Sequence, residues 1–592
     1  MCGIVGAVGK INIRKFLIDG LFSLDYRGYD SAGVAFLNDK NKLTIKKVVG
    51  RVEYLDKKVP EIVDAKLGIG HTRWATHGVP SIKNSHPQVS MRKYFCIVHN
   101  GVIENYRALK TKLLENGFKF ESDTDTEVVA NLLEYNYLNC NDILEAIRMS
   151  IEEIKGSFAI AVIFKDDSSK IYFMKRRSPL CIGLCEEARL IGSDVVPMIN
   201  FTNSFLDLRD DEYGFVSKSE VHIFKGYDEV KHDIVNQNIE LLHKDLDGYP
   251  NYMLKEIEET PDVIKRLIDN YFDGESFLFD KKMIEAIRKA DDIIFLGCGT
   301  SYHAALSGVR NMNYLGKRSE AYIASEWAYF PTFTSKKPLY ILISQSGETA
   351  DLLRCQQIIN DRGSVNIAIT NTKGSTLDRE STFTCLLFAG LEVAVASTKA
   401  FSAQVAFLSL LTGAIEDRNN VVEHLRDLNR SLTKIISRKE EIESVAKKIE
   451  DGNMLFFIGR GQDYDAAQEA SLKMKEITYL HCEAFPGGEL KHGPIAVVDS
   501  NTRLIAFSSS MSTDLPIRNN VTEIESRGAK TFIVTFDSLA KDGDSFVIPN
   551  VKSHLSIIPM VFVSQYLAYF VALHKGVDID KPRNLAKSVT VE

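Results

Sequence analysis

The chain begins Met1-Cys2-Gly3-Ile4-Val5-Gly6. With Met1 removed, Cys2 would carry a thiol and a free α-amine on one residue. An α-amine titrates near pH ~7.7–8.0. It can therefore take the proton of the thiol beside it, the arrangement of an N-terminal nucleophile. Small Gly3 lets a substrate come close. The competing reading is a buried cysteine that serves as a small hydrophobe.

Three further segments carry groups that could serve such a nucleophile. Gly70-His71-Thr72-Arg73-Trp74-Ala75-Thr76-His77-Gly78 offers a guanidinium fork suited to a carboxylate, with Thr76 and His77 as added hydrogen-bonding groups. A surface loop with a structural Arg–Asp pair competes with it. In Val98-His99-Asn100-Gly101, the Asn100 amide and the Gly101 N–H suit an oxyanion. Asn-Gly is equally a hairpin turn, and taken alone the turn is favoured. Ser122-Asp123-Thr124-Asp125-Thr126-Glu127 reads as a helix N-cap, as a carboxylate that grips an ammonium group, or as both on different residues.

A different chemistry is written further on. Gly297-Cys298-Gly299-Thr300-Ser301 and Ser344-Gln345-Ser346-Gly347-Glu348-Thr349 each sit at an expected strand-to-helix turn. Hydroxyls, backbone N–H groups and a helix N-terminus suit a phosphate. Helix-capping Ser/Thr explains one hydroxyl at each turn but not the whole second set. There is no Walker lysine and no full GxGxxG fingerprint. Glu469, Lys473 and Glu476 fall on one helix face, either as a solvated salt-bridge stripe or as a proton-transferring carboxylate beside a lysine. His492, in GELKHGP, can titrate near neutrality. The tail Lys581–Glu592 carries Arg583 and Lys587, which either fray with it or cover an anionic ligand.

The elements that must position these groups follow from the pattern. The 592 residues exceed one core, so two to four domains are expected. Short β-like runs at Gly3–Val8, Ser31–Phe36, Leu67–Gly70, Phe95–Val98, Phe158–Phe164 and Lys170–Lys175 surround helical patterns near Asn105–Asn116 and Thr126–Tyr137. They predict antiparallel sheets with packed helices. A polar stretch over 236–285 reads as a linker followed by helices, with Pro261 near a helix start. From 286 onward Ile293–Leu296, Leu339–Ile343 and Val365–Ile369 alternate with helical stretches, so a parallel sheet is expected. Phe295–Ala305 and Phe457–Ala467 share Phe, two Gly, Tyr and two Ala, each after an apolar strand. That repeat implies two homologous domains in tandem, joined by helices around Val421–Asp451.

A net charge of −7, from 72 basic and 79 acidic residues, argues against a general nucleic-acid binder. No apolar run is expected to reach transmembrane length, and no signal peptide is read. Nine scattered cysteines without Cys-x-x-Cys pairs point to reduced thiols and a cytoplasmic protein, and no His/Cys cluster has metal spacing.

Taken in order, CGIVG, YRGYDSAG, GHTRWATHG, HNGVIEN and SDTDTE resemble a class II glutamine amidotransferase domain. The resemblance implies an α+β N-terminal nucleophile fold, a four-layer αββα sandwich, over residues 1–235. It implies that Cys2 forms a glutamyl thioester, that Asn100 and Gly101 stabilise the oxyanion, and that Arg73, Thr76, His77 and Asp125 hold the glutamine head. GTSY, SQSGETADL, VASTKAF, GRG, LKMKEITY, GELKHGP and KPRNLAKSVTVE resemble paired sugar isomerase (SIS) domains. These imply two α/β doubly wound parallel sheets over 286–425 and 426–580, after a linker at 236–285 and before a closing tail at 581–592.

The fusion is similar to the isomerizing, glutamine-dependent aminotransferases. That family implies L-glutamine and fructose 6-phosphate as substrates and glucosamine 6-phosphate and glutamate as products, with no metal, nucleotide or redox cofactor. Thr300, Ser301, Ser344, Gln345, Ser346, Thr349, Ser397 and Lys399 would line the sugar-phosphate site. His492 would assist ring opening from the same or the partner subunit. Lys587 would form a Schiff base, and Glu476 would shuttle a proton from C1 to C2. Glu469, Lys473 and Arg583 would support them. Ammonia would pass through a channel gated near Trp74, with the tail closing the sugar site, in a homodimer or larger homo-oligomer. Arg460, Gln462 and Asp463 replace Cys298, Thr300 and Ser301 in the second copy, so only the first is expected to hold phosphate. No long insertion follows Asp194, so nucleotide-sugar feedback is not expected. An amidotransferase of phosphoribosyl or asparagine-synthetase type lacks its loop here. A non-catalytic sugar-phosphate sensor would not need Cys2, Glu476, His492 and Lys587.

Overall fold

The computed structural model describes residues 2–25, 28–74, 77–236, 246–333 and 335–590. They fall into two compact units, Met1–His243 with Ser588–Glu592, and Lys244–Lys587.

Strict alternation of side chains builds the first unit. In strand Gly3–Gly9, Ile4 and Val8 enter one apolar cluster while Val5 and Ala7 enter another. In strand Phe95–Ile103, Cys96 and Val98 share the cluster of Ile4, and Phe95 and Ile97 turn to a third. A strand buried on both faces belongs to an inner layer. Two antiparallel sheets, of eight and seven strands among the described residues, therefore stack face to face. Helices Ile13–Ser23 and Val52–Lys58 cover the outer face of one, and Tyr106–Glu115, Asp125–Cys140 and Ile143–Glu153 cover the other. This is the four-layer αββα sandwich. Every expected strand and both expected helices are present, most of them longer than the sequence pattern indicates.

The second unit carries two five-stranded parallel sheets. In each, the second strand in sequence lies at the edge beside the first, followed by the third, fourth and fifth. That order places a topological switch point between the first and third strands, where open α/β sheets bind ligands. The repeat appears in the backbone as well. Gly299 and Gly461 precede helices Thr300–Tyr314 and Gln462–Thr478 with nearly the same dihedrals, φ 53°, ψ −127° and φ 59°, ψ −126°. Helices Asn420–Ile436 and Lys439–Ile449 lie between the copies. Pro261 takes the second position of helix Thr260–Tyr271, where a missing N–H costs nothing.

One expectation is corrected. Ser553–His574 is 22 residues long with a mean hydropathy of 1.7, enough to cross a membrane by length and composition. Its apolar window is wholly buried, packed against helices Gln462–Thr478, Lys439–Ile449 and Asn420–Ile436. A helix covered on all sides is apolar on all sides. Ser564 and Gln565 interrupt the apolar run, and the Ser564 hydroxyl and the Gln565 amide N–H donate in place to the carbonyls of Val561 and Thr398.

Within YRGYDSAG, Gly33 has a packing role. A Cβ there would lie 2.1 Å from the carbonyl oxygen of His86. Gly33→Ala gains some strand preference but must displace backbone, which costs about 1–3 kcal/mol. A lowered denaturant midpoint should follow, and an unchanged one would show that the loop at His86 yields freely.

Candidate functional site

Cys2 precedes strand Gly3–Gly9, whose pairing with Leu67–Arg73 sets Gly3 opposite Thr72. The thiol therefore meets Trp74. The Trp74 N–H donates to Cys2 Sγ at 3.3 Å, and Sγ lies 3.5 Å from the Trp74 carbonyl. Burial pushes the thiol up, against the pull of the Trp74 N–H and the Arg73 guanidinium. A base beside it must therefore help form the thiolate.

The expected hairpin at Asn100-Gly101 is absent. The strand runs through both residues to Ile103, paired with Gly156–Phe164. Gly101 has φ +127°, and a Cβ there would lie 2.1 Å from Ser157 O, so only glycine fits. The Asn100 amide donates to the carbonyl of Cys2 at 3.0 Å. Its orientation is set from behind, because His71 Nε2 donates to Asn100 Oδ1 at 3.1 Å and to His99 O at 2.9 Å.

Among the described residues Arg73 makes no ion pair with a carboxylate, so the structural Arg–Asp pair is corrected. Its Nη2 donates to the carbonyls of His77 and Gly78, and buried Nη1 has no partner among the described residues. Asp125 opens helix Asp125–Cys140 and accepts the Ile103 N–H at 3.0 Å, with His77 Nδ1 4.0 Å from the same oxygen. Capping falls to its neighbours. Thr124 accepts from the Glu127 N–H, and the Glu127 carboxylate accepts from Glu121 and Ser122. Thr76 lies outside the described residues.

Beneath these groups lies a layer that sequence reasoning missed. The His71 and His86 rings lie 4.1 Å apart, tilted by 33°, and the Thr126 hydroxyl bridges His86 Nε2 and His99 Nδ1 at 3.1 and 3.0 Å. Burial pushes His71 down to about 3, His86 well below the usual histidine range and His99 down as well. All three are neutral supports. His71 and His99 stand inside quoted motifs, so their presence was available in the sequence.

In the second unit, both expected phosphate loops lie at the switch point of the first parallel sheet, after strands Asp292–Gly297 and Pro338–Ser344. Ser344 Oγ accepts the Gly347 N–H at 3.1 Å and lies 3.0 Å from Thr349 Oγ1. Ser346 Oγ accepts the Glu348 N–H at 3.2 Å. Gly347 takes φ +66°, which bends Ser344–Thr349 onto the start of helix Ala350–Asp361. The Gln345 carbonyl accepts the Asn371 N–H, and Ser301 Oγ accepts from the Gln404 amide.

The Glu469, Lys473 and Glu476 stripe is not solvated. Glu469 and Lys473 are fully buried on helix Gln462–Thr478. Lys473 Nζ lies 2.6 Å from Glu476 and 3.4 Å from Glu469, and donates to Thr300 Oγ1 at 3.0 Å. Thr300 gives its single hydroxyl proton to Glu469 Oε1, so it has none for a phosphate. Burial works to lower Lys473, but the two carboxylates outweigh it and hold the ammonium charged. Burial raises Glu476 despite Lys473, as suits a carboxylate that trades protons.

Lys587 is held in the second unit by an acid absent from the expectations. Its Nζ pairs with Glu392, which is fixed by the Thr398 and Ala400 N–H groups at 2.9 and 3.0 Å and by Ser397 Oγ at 3.0 Å. Glu256 lies near, on the Val393 and Ala394 N–H groups, with Oε2 buried and unpartnered among the described residues. Burial favours the neutral form of both acids. The Lys587 ammonium nevertheless holds Glu392 low, while Glu256, faced by Glu392, rises. Lys587 also acts on Glu476, and Glu392 on Lys473, so the two clusters share one electrostatic neighbourhood.

Comparison with known proteins agrees with this division. A glutamine amidotransferase domain model matches residues 71–198, and a SIS domain model matches 286–414 and 448–575. The glutamine–fructose-6-phosphate aminotransferase (isomerizing) of Streptococcus pneumoniae serotype 4 is 43% identical over 606 residues, covering 100% of both chains. The chain belongs to the glutamine–fructose-6-phosphate aminotransferase (isomerizing) family. The Bacillus subtilis strain 168 relative of the same name is 42% identical over 603 residues, again covering 100% of each. A solved C-terminal domain of glucosamine-fructose-6-phosphate aminotransferase from Francisella tularensis is 32% identical with a TM-score of 0.54, covering 57% of this chain and 100% of that one.

Among aminotransferase residues expected at the sugar site, three stand apart. The Lys399 ammonium is committed to Glu259 at 2.6 Å. Arg583 is exposed, its guanidinium 4.2 Å over the Tyr479 ring and its N–H on the Tyr479 hydroxyl. His492 is exposed on the turn Gly487–His492, which packs on strand His481–Pro486 and helix Met511–Glu525, and no described residue bonds to it. In the second SIS copy Asp463 stands where Ser301 stands in the first. Its carboxylate accepts the Ser509 N–H at 2.9 Å, an N–H of that copy's switch-point turn.

The buried histidines set a pH dependence. From pH 6.5 down to about 3 the unfolded chain binds protons that folded His71 refuses. That stability is fully present above pH 6.5. It falls on acidification by about 1.4 kcal/mol per pH unit for each histidine that stays neutral. Denaturant midpoints against pH should fall below pH 6.5. His71→Gln, which keeps a donor toward Asn100, should shallow the fall by one proton. An identical slope in the variant would contradict a neutral His71.

Proposed function

We propose that this chain converts D-fructose 6-phosphate and L-glutamine to D-glucosamine 6-phosphate and L-glutamate, the entry reaction to amino-sugar nucleotides. The observation that carries the reading is the pairing of one reactive lysine with one proton-trading carboxylate. Lys587 is held by Glu392, within electrostatic reach of Glu476 on its buried Lys473.

In the glutaminase half, Cys2 Sγ attacks the glutamine amide carbon once its own α-amine has taken the thiol proton. The Asn100 amide and the Gly101 N–H receive the oxyanion. The amine returns the proton to the departing ammonia, and water then cleaves the thioester to glutamate. Arg73 Nη1, buried and unpartnered among the described residues, takes the substrate carboxylate, and Asp125 takes the α-ammonium. Thr76 and His77 complete that grip.

In the sugar half, Ser301, Ser344, Gln345, Ser346 and Thr349 hold the phosphate at the switch point, with Ser397 and the aliphatic stem of Lys399, its ammonium on Glu259, lining the pocket and the Thr300 backbone contributing its N–H. Lys587 condenses with the open-chain ketose at C2 and expels water. Ammonia displaces the lysine and leaves a fructosimine. Glu476 takes a proton from C1 as the imine nitrogen gains one, which gives an enaminol. It then delivers a proton to C2 while the C1 hydroxyl loses its own, and an aldehyde beside an amine results. Glu469 and Lys473 keep Glu476 in place. Asp463 in the second copy leaves the phosphate to the first.

We place the protein in the cytoplasm as a homodimer. Its nine free cysteines suit a reducing compartment. An exposed His492, bonded to no described residue, suits a ring-opening group lent to the partner's sugar site. Ammonia is handed on without release, with Trp74 as the closure beside Cys2 and the tail with Arg583 covering the sugar.

A paired assay tests the reading. Given both substrates, the protein should form glutamate and glucosamine 6-phosphate in equal amounts. Cys2→Ala should abolish both products from glutamine. Glu476→Gln should lower amino-sugar turnover by about 10²–10⁴-fold. Trp74→Ala should release more glutamate than amino sugar. Glutamate without amino sugar from the unaltered protein would refute the proposed acceptor, and an unchanged ratio in Trp74→Ala would refute the closure.

A further inference from the structure

Glu469 has no exposed surface, yet it stays ionised, because Lys473, His303 and Thr300 together offset the cost of its burial. A buried carboxylate needs both oxygens partnered. Thr300 and Lys473 share Oε1, at 3.0 and 3.4 Å. Among the described residues Oε2 is held by His303 Nδ1 alone, at 2.6 Å. We propose that His303 is a positioning residue of the isomerising site, fixing Glu469 so that Lys473 remains on Glu476. The inference rests on the reaction proposed above.

Helix geometry explains how one residue can do this. Thr300 and His303 are one turn apart on helix Thr300–Tyr314, so both face Glu469 on helix Gln462–Thr478. Two turns further on, Arg310 pairs with Asp465, which lies one turn before Glu469. The groups that face His303 are thus Glu469 and Asp465, with Arg310 on Asp465 and Lys473 behind Thr300. The Arg310–Asp465 pair ties the helices together without touching Lys473, which separates packing from positioning.

Loss of His303 leaves Oε2 buried with no donor. The one proton of Thr300 is already given to Oε1, so Glu469 must turn toward Lys473, which already sits between it and Glu476. Lys473 is 0.8 Å closer to Glu476 than to Glu469, by the 2.6 and 3.4 Å contacts. A carboxylate stripped of its histidine contests that preference and draws the ammonium away. Displacements of about 1 Å at a reacting group cost on the order of 10²-fold.

The test compares His303→Phe, which keeps the ring's bulk without a donor, with His303→Asn, whose amide nitrogen is bonded to Cγ as Nδ1 is and can reach Oε2, and with Arg310→Met. Turnover and KM for fructose 6-phosphate are measured beside melting temperature. His303→Phe should lower kcat for amino-sugar formation about 10–100-fold with KM within ~3-fold. His303→Asn should recover most of that loss. Arg310→Met should lower the melting temperature with kcat kept. If the Phe variant does not fold, His303→Leu, smaller and likewise without a donor, replaces it. Wild-type kcat in the Phe or Leu variant, an effect confined to KM, or no recovery by Asn would overturn the inference. Failure of the unaltered protein to make amino sugar would instead overturn the reaction itself.

Discussion

Charge taken out of water is the constraint on which the second unit depends. Glu469 and Lys473 are both fully buried, and neither could remain ionised alone. Each is therefore tied to more than one partner, and those partners lie on different elements. Thr300 and His303 come from the helix that opens the first SIS copy, whereas Glu469, Lys473 and Glu476 belong to the corresponding helix of the second. The two copies must stand side by side for either helix to be tolerated. The repeated strand–glycine–helix unit achieves this, with matching backbone at Gly299 and Gly461. The same rule governs the tail. Lys587 is kept by Glu392, and Glu392 is kept by two backbone N–H groups and a hydroxyl.

The first unit solves the opposite problem. Its nucleophile must be approached closely by a charged amino acid, so the layer beneath is kept neutral. Burial holds His71, His86 and His99 uncharged, and they act through direction rather than charge. His71 turns the Asn100 amide toward Cys2, and Thr126 joins the other two rings. Arg73 supplies the nearby positive charge, with one amino group not bonded to any described residue.

Much of this was legible in the residues. Period-two patterning located the strands, and the motifs located Cys2, Arg73, Asn100, Ser344–Thr349, Glu476 and Lys587. Side-chain direction was not legible, because it depends on partners distant in sequence. Thr300 reads as a phosphate ligand until Glu469, 169 positions away, is seen to take its proton. Lys399 reads likewise until Glu259 takes its ammonium. Asn100-Gly101 reads as a turn because the strand that extends through it, Gly156–Phe164, is far along the chain. Glu392 and Glu256 carry no local pattern at all.

The central claim is that Lys587 is the amine that takes the ketose. Fructose 6-phosphate would be added without glutamine, the imine reduced with borohydride, and the labelled peptide identified by mass. The account predicts one sugar-phosphate adduct, on Lys587, lost in Lys587→Arg while the protein stays folded. An adduct on Lys473 or Lys399, or none on Lys587, would contradict it.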